Sequence, residues 1–462
     1  IREAASRFHL GDNAGRLVST TDPRGVVVTT TYDAMSRPST RTFSDTGVSA
    51  SAGFEAGTVV QAFGYDACNH GQGRLCSIVD SSGTTSYVYN AWGDRVGKAW
   101  TGKANGPAAG VTLSTGYAFE AATGRLSSIT LPSGNTQQIT YGVDGNPLAL
   151  SYAGQLVVAN ARWTATGQIA GWAWPQSTGW SGTHAQVSFT YDLDGRPVEI
   201  QDLDDRSLVW DVGDRLVAVD DANDTAHSQI YGYDALDRLT SADIGIWNGD
   251  IGFTYDTVGN RTALMSDDGD AWQYSYGLNH NRLTSQKPVV GGVPGTAFTA
   301  SYDAMGNLVN DGIGLQLSYD ATGRLAQGSK GPQSMTAVYN ALGQRMLKAS
   351  GSTVRVYAVD EAGRPLGVYV VDATQPNGYR VEEEYVHLDG WRPVAVVRPD
   401  PAMGMANPKI FPILTDHLGT PRKVLDGNTG EVRWSWDAKQ PFGHEMPNET
   451  PTAGQAVFTF DL

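Results

Sequence analysis

The amino-acid sequence predicts an all-β protein, one continuous ribbon of antiparallel hairpins that spirals around a hollow interior. Three observations predict it. A turn that opens on Tyr-Asp or Tyr-Asn recurs along the chain, the segments between turns alternate apolar and polar residues, and helical periodicity is scarce. Gly supports the same reading: 55 of 462 residues, about 12% against a usual value near 7%.

The turn first appears as Tyr32-Asp33 in "YDAMSRP", then as Tyr65-Asp66 in "YDACNHGQGRL" and Tyr89-Asn90 in "YNAWGDR". "YDLDGRP" gives its full form, Tyr191-Asp192 followed by Gly195 and Arg196. Further copies are Tyr233-Asp234 with Arg238, Tyr255-Asp256 with Gly259, and Tyr302-Asp303 with Gly306. Tyr319-Asp320 with Gly323 and Arg324, and Tyr339-Asn340, complete the set. Degenerate copies at Phe119, Tyr141, Trp163, Trp210 and Tyr276 fill the gaps. The unit is roughly 17 to 33 residues, within the range of repeat architectures.

Each position has a physical job. An aromatic suits the last residue of a strand, where it packs on cross-strand neighbours. Asp or Asn bonds its own backbone two residues on and starts the turn. Gly supplies the positive φ that other residues resist. Arg reaches the turn carboxylate, and the next apolar residue restarts the strand. The tyrosines are expected in equivalent places, stacked between successive coils.

Between turns the period is two. Ile251, Phe253 and Tyr255 share one face, and Gly252 and Thr254 the other. A second turn falls midway through most units, as at Asn248-Gly249-Asp250, so each unit supplies about two strands. Roughly 15 units at about 4.8 Å per strand make a ribbon on the order of 140 Å long. Open sheets rarely exceed about ten strands without curling, so the ribbon coils and encloses a space.

The formal net charge is −15, which disfavours direct nucleic-acid binding. No apolar run is long enough to span a bilayer as a helix. The chain opens on Ile1 without a signal-peptide pattern and ends within "AVFTFDL", and it is read as an internal part of a longer polypeptide. Cys68 and Cys76 flank a hairpin that could bring them opposite each other as a disulfide; two free thiols are the alternative. A metal site adding His70 has too few ligands, and neither metal nor cofactor is expected.

The repeated Tyr-Asp turn, with "DHLGTPRKVLDGNTGEVRWSWDAKQPFGHE" near the end, resembles the RHS/YD-repeat (rearrangement-hotspot) family. In that family Asp416, Gly419 and Pro421, then Pro441, Phe442 and Gly443, match the opening of the core-associated region. The resemblance implies a repeat array over 1–380 and the start of an end-closing region over 381–462. It implies a non-catalytic shell that holds its own C-terminal toxin or effector domain for delivery to a target cell. A secretion or delivery component and a chaperone or immunity protein are the implied partners, and the chain would be secreted after synthesis in the cytoplasm. Self-cleavage and toxin residues would lie beyond Leu462. The alternatives are a surface or wall-associated YD-repeat protein that binds carbohydrate or a protein partner, and a glycan hydrolase on a β scaffold.

Other features have plainer readings. Asp416 and His417 form a turn rather than an acid–base pair, because no third group orients them. "DGNTGE" at 426–431 reads as a hairpin turn and not a calcium loop. Glu382, Glu383 and Glu384 are expected on a solvated strand edge. Trp172, Trp174 and Trp180 are expected to pack in a corner and not to bind a sugar.

Overall fold

The computed structural model describes residues 8–44, 59–175, 186–244, 250–437, 440–443 and 445–460. They form 39 strands and a 3₁₀ turn at Thr225–His227, with no α-helix among them. Each strand pairs antiparallel with the next in sequence from β1 (Phe8–Gly11) to β25 (Val293–Pro294). With β26 (Phe298–Thr299), which also pairs on β24 (Leu283–Val290), these make a long ribbon of 26 strands. A short ribbon of 13 follows, from β27 (Ser301–Tyr302) to β39 (Val432–Ser435). The meander follows from the sequence, since a turn every few residues leaves each strand its own neighbour as partner.

The repeated turn sets a bulge at each aromatic. The Asp33 amide donates to the Arg37 carbonyl and the Ser36 amide to the Asp33 carbonyl. The register slips between Thr31 and Tyr32, as it does before Tyr191, Tyr233, Tyr255, Tyr302, Tyr319 and Tyr339. A residue with positive φ closes the bulge: Gly195 and Gly259 in some copies, Ser36, Asp214 and Asp237 at φ near 60° in others. One bulge per unit adds the same local twist each time, and the ribbon curves.

The short ribbon returns alongside the long one. Arg24 donates to the carbonyls of Asp320 and Ala321, 296 and 297 residues away. Asp80 accepts from the Ala341 amide and Lys98 donates to the Val359 carbonyl, both at a separation of 261. Ser133 meets Glu384 at 251, Arg206 meets Thr415 at 209, and the Phe253 ring packs on Phe442. The contacts keep chain order while their separation falls, so the coil tightens toward its C-terminal end. At about 4.8 Å per strand, one coil shrinks from on the order of 130 Å of sheet to roughly 90 Å.

The core lies where the ribbons overlap. Strand β7 (Gly83–Tyr89) buries every second residue, and β15 (Gln186–Tyr191) buries Val187 and Phe189. In β36 (Pro393–Asp400), by contrast, Val394, Ala395, Val396 and Val397 are all at 0% exposure. Burial of consecutive residues means that both faces of that strand are covered. On the neighbouring strands Phe458 packs on Phe411 and Phe460 on Tyr385, and Phe460 also packs on Trp434. Each such side chain contributes about 1.5–3 kcal/mol of burial.

Two expectations need correction or limits. Glu382–Glu384 do not form a solvated edge: Glu383 is 3% and Glu384 0% exposed, because β35 (Tyr379–His387) lies inside the overlap. Trp172 and Trp174 are buried edge to face, with ring centroids 5.5 Å apart. Trp180 and the Asn248-Gly249 turn lie outside the described residues.

Candidate functional site

The repeat turn is a unit that joins each hairpin to the next. In the Tyr233 copy, Asp234 Oδ1 accepts from the amides of Leu236 and Arg238 at 2.9 and 3.0 Å, and Oδ2 takes Arg238 Nε at 2.7 Å. The Arg238 guanidinium and then its amide hold the Asp234 carboxyl below the usual carboxylate range. The guanidinium also lies 4.9 Å over the ring of Tyr255 in the next unit and donates to the Asp256 carbonyl. Tyr255 answers by donating its hydroxyl to the Leu239 carbonyl at 2.7 Å. Asp12, Arg16 and Tyr32 repeat this arrangement, as do Asp211, Arg215 and Tyr233. Tyr191, Tyr302 and Tyr319 donate likewise to Ile169, Leu283 and Leu308. The tyrosines therefore bond along the ribbon, within its wall, rather than between coils. Tyr255→Phe removes one such bond and is expected to cost about 1 kcal/mol in urea denaturation, with strand geometry unchanged.

Between coils the seam is polar and buried. Lys98 also reaches Glu361 at 3.3 Å, and burial lowers its pKa. Glu384 accepts from Ser133, Tyr152 and Tyr369, and Gln137 donates to the Tyr385 carbonyl at 2.7 Å. The most elaborate contact surrounds Asp416. Its Oδ1 accepts from the amides of Leu418 and Thr420, both at 2.9 Å, and Gly419 sits at φ 84° before Pro421 begins β38 (Pro421–Leu425). This is the repeat turn again, with Thr415 in place of the aromatic. Arg422 approaches the other carboxylate oxygen at 3.4 Å. Beneath it Arg206 bonds Asp202 at 2.7 Å and the Thr415 carbonyl at 3.2 Å, and Lys423 bonds Asp204. His417 packs edge-on to Trp210, and burial lowers its pKa. Asp204, Arg206, Asp416, His417, Arg422 and Lys423 line a cavity of about 100 Å³. Asp416 spends its oxygens on the turn and on Arg422, so the arrangement joins two ribbons and does not orient His417 as a base.

Against known proteins, an RHS-repeat family model matches residues 11–48, a stretch that holds the Asp12 and Asp33 turns. The geometry of that stretch recurs through the Asp416 turn. The chain carries an RHS repeat. Its fold is like that in a crystal structure of TcdB2-TccC3-Cdc42, with TM-score 0.71, 16% identity, and coverage of 93% of this chain and 23% of that one. A TcdB2-TccC3 structure gives 0.65 at 15% identity, covering 93% and 24%. One of TcdB2-TccC3 without its hypervariable C-terminal region gives 0.64 at 16%, covering 93% and 23%. The RHS-repeat chain thus spans about a quarter of the chains it matches. No curated protein matches it.

Asn90 and Asn340 serve as Asp does, each accepting two turn amides. Asp256 and Asp303 pair with Asn260 and Asn307 in place of Arg. Asp320 accepts from Thr322 and Arg324, and Arg324 reaches over the Tyr339 ring at 5.9 Å. The Tyr65-Asp66 turn is longer, and Cys68 within it forms a disulfide with Cys76 in the following strand, with Cα atoms 5.5 Å apart. Arg37 crosses from the preceding unit to Asp66. In the Pro441-Phe442-Gly443 segment, Phe442 packs edge-on to Phe253 at 5.2 Å and takes Arg261 over its ring at 4.7 Å. The seam residues Lys98, Arg206, Asp202 and Glu384 were not singled out from the sequence. Their signal was parity, since Lys98 shares a strand face with Trp100, and Arg206 with Leu208.

Proposed function

We propose that this chain is part of the wall of a shell that encloses a C-terminal effector or toxin domain and carries it to a target cell. The observation that carries the reading is the tightening coil, whose narrow end is covered by the short ribbon and pinned by Phe442 on Phe253. A uniform wall that narrows and closes at one end suits containment. Residues 1–380 act as the array and 381–462 as the beginning of the closure, although the chain runs through residue 381 inside β35 without a break. The turns with Asp and Arg are wall joints and offer no acid, base and nucleophile together, so the chain alone has no turnover. Its partners are its own C-terminal domain, a delivery component and a chaperone or immunity protein. The Cys68–Cys76 disulfide suits export to an oxidising compartment. The matched TcdB2-TccC3 proteins, one described as lacking its hypervariable C-terminal region, support the same reading. The test is a density map of the full-length protein. Weak protein density inside the wall is expected, and an interior filled by the wall's own side chains excludes containment.

A further inference from the structure

The seam holds two neighbouring carboxyls whose surroundings differ. Glu384 is fully buried and accepts only from neutral groups: the Ser133 hydroxyl at 2.9 Å, the Ser133 amide at 3.2 Å, and the hydroxyls of Tyr152 and Tyr369. Ser133 and Tyr152 belong to the long ribbon, Tyr369 and Glu384 to the short one. Tyr379, which packs on Tyr369 at 5.3 Å, donates across the same seam to the Pro132 carbonyl. Glu383 points the other way and is charge-paired. Arg398 bonds it at 2.7 Å, donates to the Thr459 carbonyl and lies 3.7 Å from the Phe458 ring centroid. Glu382 is taken by Arg355. No cation reaches Glu384 among the described residues.

We propose that Glu384 is a pH-sensitive latch that holds the two ribbons together while its carboxyl is protonated and loosens the seam when it ionises. The proton lets the carboxyl sit in a dry site among hydroxyls without an unpaired charge. Once ionised, the group has only four neutral donors in place of water and no counter-charge. The Ser133 loop and Tyr152 then separate from β35, while the Glu383–Arg398 pair keeps residues 458–460 in place. The latch belongs to the coil itself and works in a shell with or without contents.

Burial raises the Glu384 pKa above its ordinary value of 4.5, and the donated hydrogen bonds offset this only in part. A raised folded-state pKa means stability present at low pH and lost as pH rises through it. As pH rises from the ordinary carboxyl range toward the folded-state pKa, the wild-type chain should become protease-sensitive at the Ser133 loop, by up to about tenfold per pH unit, and level off above it. Glu384→Gln, which keeps the shape without the ionisation, should give a flat profile. Its infrared spectrum should lack a buried protonated-carboxyl band that the wild type shows on the low-pH side of its transition. If Gln at 384 fails to fold, Tyr369→Phe serves, because removing a donor to the ionised form must move the midpoint to higher pH. A missing carboxyl band, identical profiles for wild type and Glu384→Gln, or a Tyr369→Phe midpoint that stays or falls would each overturn the latch.

Discussion

Arg206→Ala is expected to cost about 3–5 kcal/mol and to detach β38 from the long ribbon. The guanidinium bonds Asp202, whose side chain is 1% exposed, and holds the Thr415 carbonyl of the returning strand. Truncation takes this counter-charge from a carboxylate that cannot reach water, which is why the loss far exceeds that of a surface pair. Chemical denaturation gives the size, and proteolysis at Lys423 reports where the loss falls. The double change Asp202→Leu with Arg206→Met is the discriminating control, since removing both charges should return most of the stability. A loss below about 1 kcal/mol for the single variant would mean that the pair is wetter than its geometry implies.

Trp172→Ala should be as severe, about 3–5 kcal/mol, through cavity formation. The indole is 1% exposed, lies 5.5 Å from Trp174 and 5.9 Å from Phe189, and belongs to the core shared by both ribbons. Trp172→Phe should cost much less. The indole N–H makes no hydrogen bond among the described residues, so the smaller ring gives up volume without losing a polar contact. Equal losses for the two variants, by urea midpoint, would show that the indole nitrogen has a partner of consequence.

The sequence carried the wall and hid the seam. Tyr, Asp, Gly and Arg act within a few residues of one another, so the turn, its bulge and the pairing of neighbouring strands could be read from spacing. The disulfide was legible for the same reason, its halves being eight positions apart. What could not be read depends on residues more than 200 positions away. Lys98 looks like any solvent-facing lysine until Val359 and Glu361 arrive beside it. The three glutamates misled because alternation allows only one buried face. A register slip in their pairing with β34 (Pro365–Val371) and cover on both sides bury Glu383 and Glu384 together. The tyrosines were placed correctly along the chain but assigned to the wrong neighbour, since nothing local says whether a ring packs within a ribbon or across coils.

The long separations between partners at the seam also set an order in time. Neighbouring strands can zip together as soon as both exist, but Arg24 must wait for Asp320, and Ser133 for Glu384. Closing a loop of about 250 residues costs about 2 kcal/mol more entropy than closing one of about 20. Such distant contacts are slow to form. A chain emerging from the ribosome therefore carries an extended, one-layered sheet with bare edges for most of its synthesis, the state most prone to stick to its neighbours. The polar groups buried in the finished seam are then on the surface of that early sheet. Lys98, charged and solvated until Val359 and Glu361 appear, is one of them.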